Sequence, residues 1–347
     1  MKKTTKFVAV LAAATLAFGV AAPAANAAGT KACLALDTGG VDDKSFNALA
    51  WKGANIDAKK ANKSVTAQYL AATSDADYAP NIKKLVDEKC DIIIGVGFAI
   101  NDAIVAAAKA NPSAKFAIVD QDGLSGGKPV ANLKSIQYVT QDPSFQAGYL
   151  AAGVSKTGKV ATYGGLPFGT VTAFMDGFAQ GVAHYNKVKG KKVQVLGWDS
   201  AKQDGTFVGG FSDSAKALQI SKNFEQQGAD IIFPVAGGLG AATAANSMAS
   251  KKSVVIWVDS DGVIAAPKYK SVILTSVLKA VDRGVSMTIA EVASGKFTNA
   301  PYVGTMKNNG AGLAPYHALV RRVPSDLRKE VSKLGNDIRT GKVVVKK

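Results

Sequence analysis

Histidine and cysteine are almost missing from this chain, two of each in 347 residues, which removes most of the usual means of catalysis. His184 ends an amphipathic helical pattern and His317 sits in a polar loop. Neither has a candidate nucleophile beside it, and no cysteine is spare for a thiolate, so an enzyme is disfavoured. Phosphate cradles are missing too. With neither G-x-G-x-x-G nor G-x-x-x-x-G-K-S/T, a nucleotide phosphate is not the indicated ligand. Arginine is scarce. The lysines behind the formal net charge of +16 are scattered singly or in pairs, without a basic block interleaved with aromatics. That distribution argues against a nucleic-acid groove, and attraction to an anionic wall or membrane surface is its more natural consequence.

A membrane-spanning run is also lacking. Phe7 to Val20 is apolar but short and rich in alanine; Lys2, Lys3 and Lys6 precede it, and Ala25-Asn-Ala27 follows. Residues 1–27 therefore read as a signal peptide. The remaining chain carries 39 basic and 26 acidic residues, a net +13. The first cysteine, Cys33, follows Thr30-Lys31-Ala32 and does not fit a lipoprotein signal. The expectation is an exported protein, extracellular, envelope-associated or periplasmic, without an evident lipid anchor.

What is present is organised around Asp37-Thr-Gly-Gly-Val-Asp-Asp-Lys-Ser-Phe-Asn47. An apolar strand, Cys33 to Leu36, ends at a carboxylate, turns through two glycines and reopens as a helix. In an open α/β sheet this is the crevice at the carboxyl end of a strand, where ligands bind. Carboxylate, hydroxyl, amide and one aromatic face suit a neutral, polar, ring-bearing ligand. The plainer alternative is that Asp43 or Ser45 caps a helix, with Phe46 packed inward and Asn47 solvated.

Strand-like and helix-like patterns then alternate: strand 65–70, helix 75–89, strand 91–96, helix 101–110, strand 115–119. This is the signature of βαβ units and a parallel sheet covered on both faces. An internal repeat extends it. Asp91-Ile-Ile-Ile recurs as Asp230-Ile-Ile-Phe, and Phe116-Ala-Ile-Val-Asp-Gln-Asp-Gly123 as Val255-Ile-Trp-Val-Asp-Ser-Asp-Gly262, both 139 residues on. Two doubly wound parallel-sheet lobes facing a hinged cleft follow, with Asp120 and Asp259 as matched strand-end carboxylates, unless Asp-x-Asp-Gly is only a turn. The lobes are expected at 28–139 plus 276–300 and at 140–275 plus 301–347. Gly237-Gly238 can offer backbone N–H groups to a hydroxyl-rich ligand or serve only for close packing. Lys279 reads as a lysine at a helix start, where it opposes the helix dipole, and so as a candidate contact. Cys33 and Cys90 each begin a strand. If those strands are neighbours the sulfurs can pair; the alternative is two buried free thiols.

Asp37-x-Gly-Gly-x-Asp-Asp-Lys-Ser-Phe-Asn47, Ala147-Gly-Tyr-Leu-Ala-Ala152 with Lys156-Thr-Gly-Lys-Val160, Gly209-Gly-Phe-Ser-Asp213, Gly237-Gly238, Val258-Asp259, Thr275-Ser-Val-Leu-Lys279 and Asn308-Asn-Gly-x-Gly-Leu-Ala-Pro315 occur in this order. The series resembles the basic membrane protein family of ABC-transporter substrate-binding proteins, close to its purine nucleoside receptors. The resemblance implies the type I periplasmic-binding-protein fold with three hinge crossovers, and a purine nucleoside held in the cleft. It also implies a permease partner, no cofactor and no metal, and a monomer is expected. By the same resemblance Phe46 and Phe211 stack on the two faces of the base, with Phe207 the second choice for the upper ring. Asp37 and Asn47 read the base edge, and Asp120, Asp259, Lys279 and the Gly237 backbone hold ribose hydroxyls. The chain departs from the family in lacking a lipobox cysteine and in having Asp142-Pro143 where an acidic pair is usual. A binding protein for a sugar or signalling molecule is the nearer alternative, and a nucleoside hydrolase the more distant one.

Overall fold

The computed structural model describes residues 29–346, and the expected signal peptide lies outside them. Its principal strands are β1 (Lys31–Leu36), β2 (Thr66–Ala71), β3 (Ile92–Val96), β4 (Lys115–Val119), β5 (Leu133–Tyr138), β6 (Lys159–Gly164), β7 (Gln194–Leu196), β8 (Ile231–Val235), β9 (Val254–Asp259), β10 (Ile273–Lys279), β11 (Tyr302–Gly304) and β12 (Ala311–Leu313). The helices that matter here are α1 (Phe46–Lys52), α2 (Tyr78–Asp87), α3 (Asn101–Ala110), α4 (Gln141–Val154), α5 (Gly169–Lys189) and, after β10, α6 (Val281–Ala293).

Two six-stranded sheets result, in the orders β2-β1-β3-β4-β5-β11 and β7-β6-β8-β9-β10-β12. All neighbours are parallel except β10 and β12. The shared order is the structural form of the sequence repeat: β3 and β4 correspond to β8 and β9. Strand β1 shows why each sheet needs helices on both sides. Ala32, Leu34 and Leu36 pack into one core with Val281, Val285 and Ile289 of α6, whereas Cys33 and Ala35 face Ile82 and Leu85 of α2 and Ile104 of α3. A strand buried on both faces is continuously apolar, as these are.

Cys33 and Cys90 form a disulfide with their Cα atoms 6.0 Å apart, which removes the free-thiol alternative. The register explains it: Cys33 pairs with Ile93 across β1 and β3, bringing the turn before β3 alongside β1.

The chain crosses between lobes three times, from β5 into α4, from β10 into α6, and from β11 into β12. Strand order moves the expected boundaries: residues 276–279 complete β10 in the second sheet, and 302–304 add a strand to the first. Edge strands of three residues carry too little periodicity to be assigned from pattern. The crossovers are bonded to one another. Val139 N donates to Gly304 O at 2.8 Å, Ala280 N to Gly310 O at 2.9 Å, and Tyr138 Oη to Ala280 O at 3.2 Å. Helix α4 accommodates Pro143 in its first turn, where a missing N–H costs little. It lies directly against α5, with Gly148 and Gly181 at the contact. A Cβ on either would stand 2.0 Å or less from a carbonyl oxygen of the other helix.

Candidate functional site

The carboxyl ends of β1, β3 and β4 face those of β6, β8 and β9 across a cleft. Asp37, Phe46, Asn47, Asp120, Phe211, Gly237, Asp259 and Lys279 all line it. Phe207 does not. Its ring packs against Gly164 and stands edge-on to Trp198 with centroids 6.2 Å apart, so the second-choice ring is an internal packing group.

The loop before α1 is held by Asp43, whose carboxylate accepts from the backbone N–H groups of Ser45, Asn47 and Ala48 at 2.8–3.0 Å. The capping alternative holds for Asp43, and Phe46 does pack against the first-lobe core, but it fails for Ser45 and Asn47. Ser45 reaches across the cleft and donates to Asp259 Oδ2 at 2.7 Å. Asn47 is 1 % exposed rather than solvated, and its Nδ2 donates to Asp37 Oδ1 at 2.6 Å. Phe46 is half-buried at the cleft wall.

The repeated aspartates share an unusual backbone. Asp120 has φ 71° and Asp259 φ 64°, the left-handed region that a residue with a side chain occupies only when its surroundings impose it. Such strain concentrates at functional sites, and here it turns both carboxylates off their strand ends into the cleft. Lys279 lies at the end of β10, two residues before α6, rather than at a helix start. Its ammonium is ion-paired with Asp120 and sits 4.8 Å above the Phe46 ring. The dipole argument for this lysine therefore lapses, and cross-lobe pairing replaces it.

Most other groups in the lining carry no sequence signal of their own. Tyr78 and Asp75 stand near Asp37, Phe174 lies under Lys279, and Phe98 and Phe168 close one side. For Phe98 a signal did exist: the 139-residue offset that relates the strands carries Phe98 onto Gly237. At Gly238 a side chain is excluded, because a Cβ would lie 2.8 Å from the Asp43 carbonyl oxygen of the other lobe. Ser260 completes this contact by donating to Lys44 O at 2.6 Å.

Five aspartates and one lysine line the cleft. Burial pushes the Asp37 carboxyl above its ordinary range against the hydrogen bonds from Asn47 and Gly39. It pushes Asp43 up to about 7. Asp259 is raised by burial as well, with the charge of Lys279 acting in the opposite direction and Asp120 adding to the rise. A carboxyl whose folded pKa lies above its unfolded value takes up protons on folding. Its stabilisation is full below the unfolded pKa and is lost as pH rises through the folded one. For Asp43 that window runs from 3.8 to about 7. The ligand-free protein is expected to melt several degrees higher at pH 5 than at pH 8, and Asp43→Asn to flatten the difference. Calorimetric melts across this range check it, and a melting temperature that rises with pH would contradict it.

The profile of ABC transporter substrate-binding proteins of the PnrA-like type matches residues 31–309. The chain belongs to this family. Its members bind a small ligand and serve a membrane permease. The ABC transporter nucleoside-binding protein BmpA of Lactococcus lactis is 31 % identical, with 99 % of each chain covered. Basic membrane protein A1 of Borrelia garinii is 29 % identical over 91 % of this chain and 88 % of its own. Among solved structures, a solute-binding protein of an Aeropyrum pernix ABC transporter system superposes with TM-score 0.78. It shares 22 % identity over 92 % of this chain and 94 % of its own, and so shows the two-lobed fold alone. Among the described residues no helix of this substrate-binding protein is long and apolar enough to cross a membrane, and no group of three or more His, Cys, Asp or Glu is placed to hold a metal ion.

Proposed function

We propose that this substrate-binding protein, acting as a monomer outside the cytoplasm, captures an uncharged purine nucleoside between its lobes for import. One observation carries the reading: Phe46 from the first lobe and Phe211 from the second line the same cleft as a set of carboxylates. Flat apolar faces suit a heterocycle, and carboxylates suit a sugar diol, since each oxygen accepts from a hydroxyl in a charge-assisted bond. In this reading Asp120, Asp259, Lys279 and the Gly237 backbone hold the ribose, and Asp37 and Asn47 take the base edge. Asn47 Oδ1 is buried without a partner, an acceptor that a base N–H would satisfy. The nucleoside-binding name of the Lactococcus relative supports the same assignment. An excess of carboxylates repels a phosphate, so the nucleotide is expected to be rejected.

Titration calorimetry with inosine tests this. One molecule is expected to bind per chain, inosine 5′-monophosphate at least 100-fold more weakly, and no free base is expected to form. Phe46→Ala is expected to cost about 1 kcal/mol or more of binding, from lost stacking and burial, with melting little changed. Binding of a sugar but not of inosine would favour the sugar alternative, and release of hypoxanthine would make the protein a hydrolase.

A further inference from the structure

Phe98 and Phe168 belong to different lobes, yet their rings lie face to face, with centroids 4.5 Å apart and planes 16° from parallel. Phe98 follows β3 through Gly97, and Phe168 immediately precedes α5. Phe168 in turn lies 6.4 Å from Phe211, so a run of three rings crosses the cleft. Hydrogen bonds and an ion pair also cross between the lobes: Ser45 with Asp259, Ser260 with Lys44, and Lys279 with Asp120. Adjoining Phe98 is a second, more open cavity lined by Gln121, Asp122, Gln137 and Tyr138. The two cavities share Phe98, Asp120 and Thr170, so the Phe98 ring, with Phe168 stacked on it, stands where the inner site meets this outer vestibule.

We infer that Phe98 and Phe168 form a gate that holds the lobes shut, separates the bound ligand from the vestibule and sets how long the ligand stays. Each ring is half-buried and carried by a loop end, so the pair is separable without dismantling either sheet. When the lobes part, both faces become wet, and the stacking and apolar burial are lost together. When they close, the contact is regained and Phe211 is braced through Phe168. Because the stack exists only in the closed form, its loss falls on dissociation. Association, which proceeds through the open form, is left nearly unchanged.

The gate rests on the nucleoside reading only for its probe. Release of inosine is followed by stopped-flow displacement from wild type, Phe98→Ala, Phe168→Ala and the double variant, with melts confirming the fold. Each single variant is expected to release inosine about 10-fold faster, with association changed less than threefold. The double variant is expected to be no faster than about either single one, because the two rings act as one contact. Phe98→Leu, which keeps apolar volume but loses the ring, is expected to fall between. Release rates equal to wild type, or effects of the two variants that multiply, would overturn the gate while leaving the nucleoside reading intact. Failure of wild type to bind inosine would sink that reading alone. The gate is then decided by small-angle scattering of the ligand-free proteins: a larger radius of gyration in both single variants supports it, and unchanged radii refute it.

Discussion

Lys279→Met is expected to abolish tight ligand binding while leaving a folded protein. In the closed form Lys279 is 3 % exposed and paired with Asp120, which is 8 % exposed. Methionine keeps most of the side-chain volume but leaves the Asp120 carboxylate buried without its cation. It also removes the charge that favours ionised Asp259, whose carboxyl burial already raises. Breaking a buried pair from one side costs roughly 3–5 kcal/mol. This pair bridges the lobes, so the protein escapes most of that cost by opening and letting water reach the carboxylates. The loss then appears as weaker binding, about 100-fold or more, and as a larger radius of gyration, rather than as a greatly lowered melting temperature. Acidification is expected to restore part of the affinity, because protonating Asp259, whose carboxyl burial raises, lessens the repulsion between it and the Asp120 carboxylate that Lys279 no longer offsets. Lys279→Arg, which keeps the charge, is expected to lose less. Calorimetry on the three proteins at pH 5 and pH 8 checks the set. Affinity of Lys279→Met within tenfold of wild type at pH 8 would show that the ammonium is not what holds the cleft together.

The behaviour of Lys279 also shows where pattern reading stops. Strands β3 and β4 are legible because Ile92 to Ile94 and Phe116 to Val119 are continuously apolar, and helix Asn101–Ala110 because its apolar positions recur at helical spacing. Strand β5 is not legible. Lys134, Ser135 and Gln137 give it the look of a solvated loop, yet Lys134 is 3 % exposed and neutralised by Glu291 of α6 at 3.0 Å. A partner 157 residues away leaves no local trace. The same reason governs the cleft. The aspartates of the repeat are visible because the chain states them twice. The cross-lobe contacts of Ser45, Ser260 and Phe168 join segments that only the closed fold brings together, and no spacing within either segment encodes them. The choice of Phe211 over Phe207 turns on a packing detail of the same kind, one ring lining the cleft and the other standing edge-on to Trp198.

Replacing both Cys33 and Cys90 by alanine is expected to lower the unfolding free energy of the first lobe by about 4 kcal/mol. The estimate follows from the 57-residue separation of the bridged positions through the entropy a cross-link removes from the unfolded chain. Little native-state compensation is available, since Cys33 is fully buried and Cys90 is 6 % exposed, and truncation leaves a small void between β1 and α2. The bond lies within the first lobe, and neither cysteine lines the cleft. Affinity at 20 °C is therefore expected to stay within about threefold of wild type even as stability falls. The lobes have separate cores, so the variant is expected to unfold in two steps, the first lobe before the second, where wild type shows less separation. Reducing wild type with dithiothreitol under partly denaturing conditions is expected to reproduce the variant's first transition. Denaturant melts followed by intrinsic fluorescence report on both lobes, since Trp51 lies in the first and Trp198 and Trp257 in the second. If the first transition does not move, the bridge adds nothing that the packing of β1, β3 and α2 does not already supply. If both transitions move together, the lobes unfold as one cooperative unit, coupled by the contacts between them.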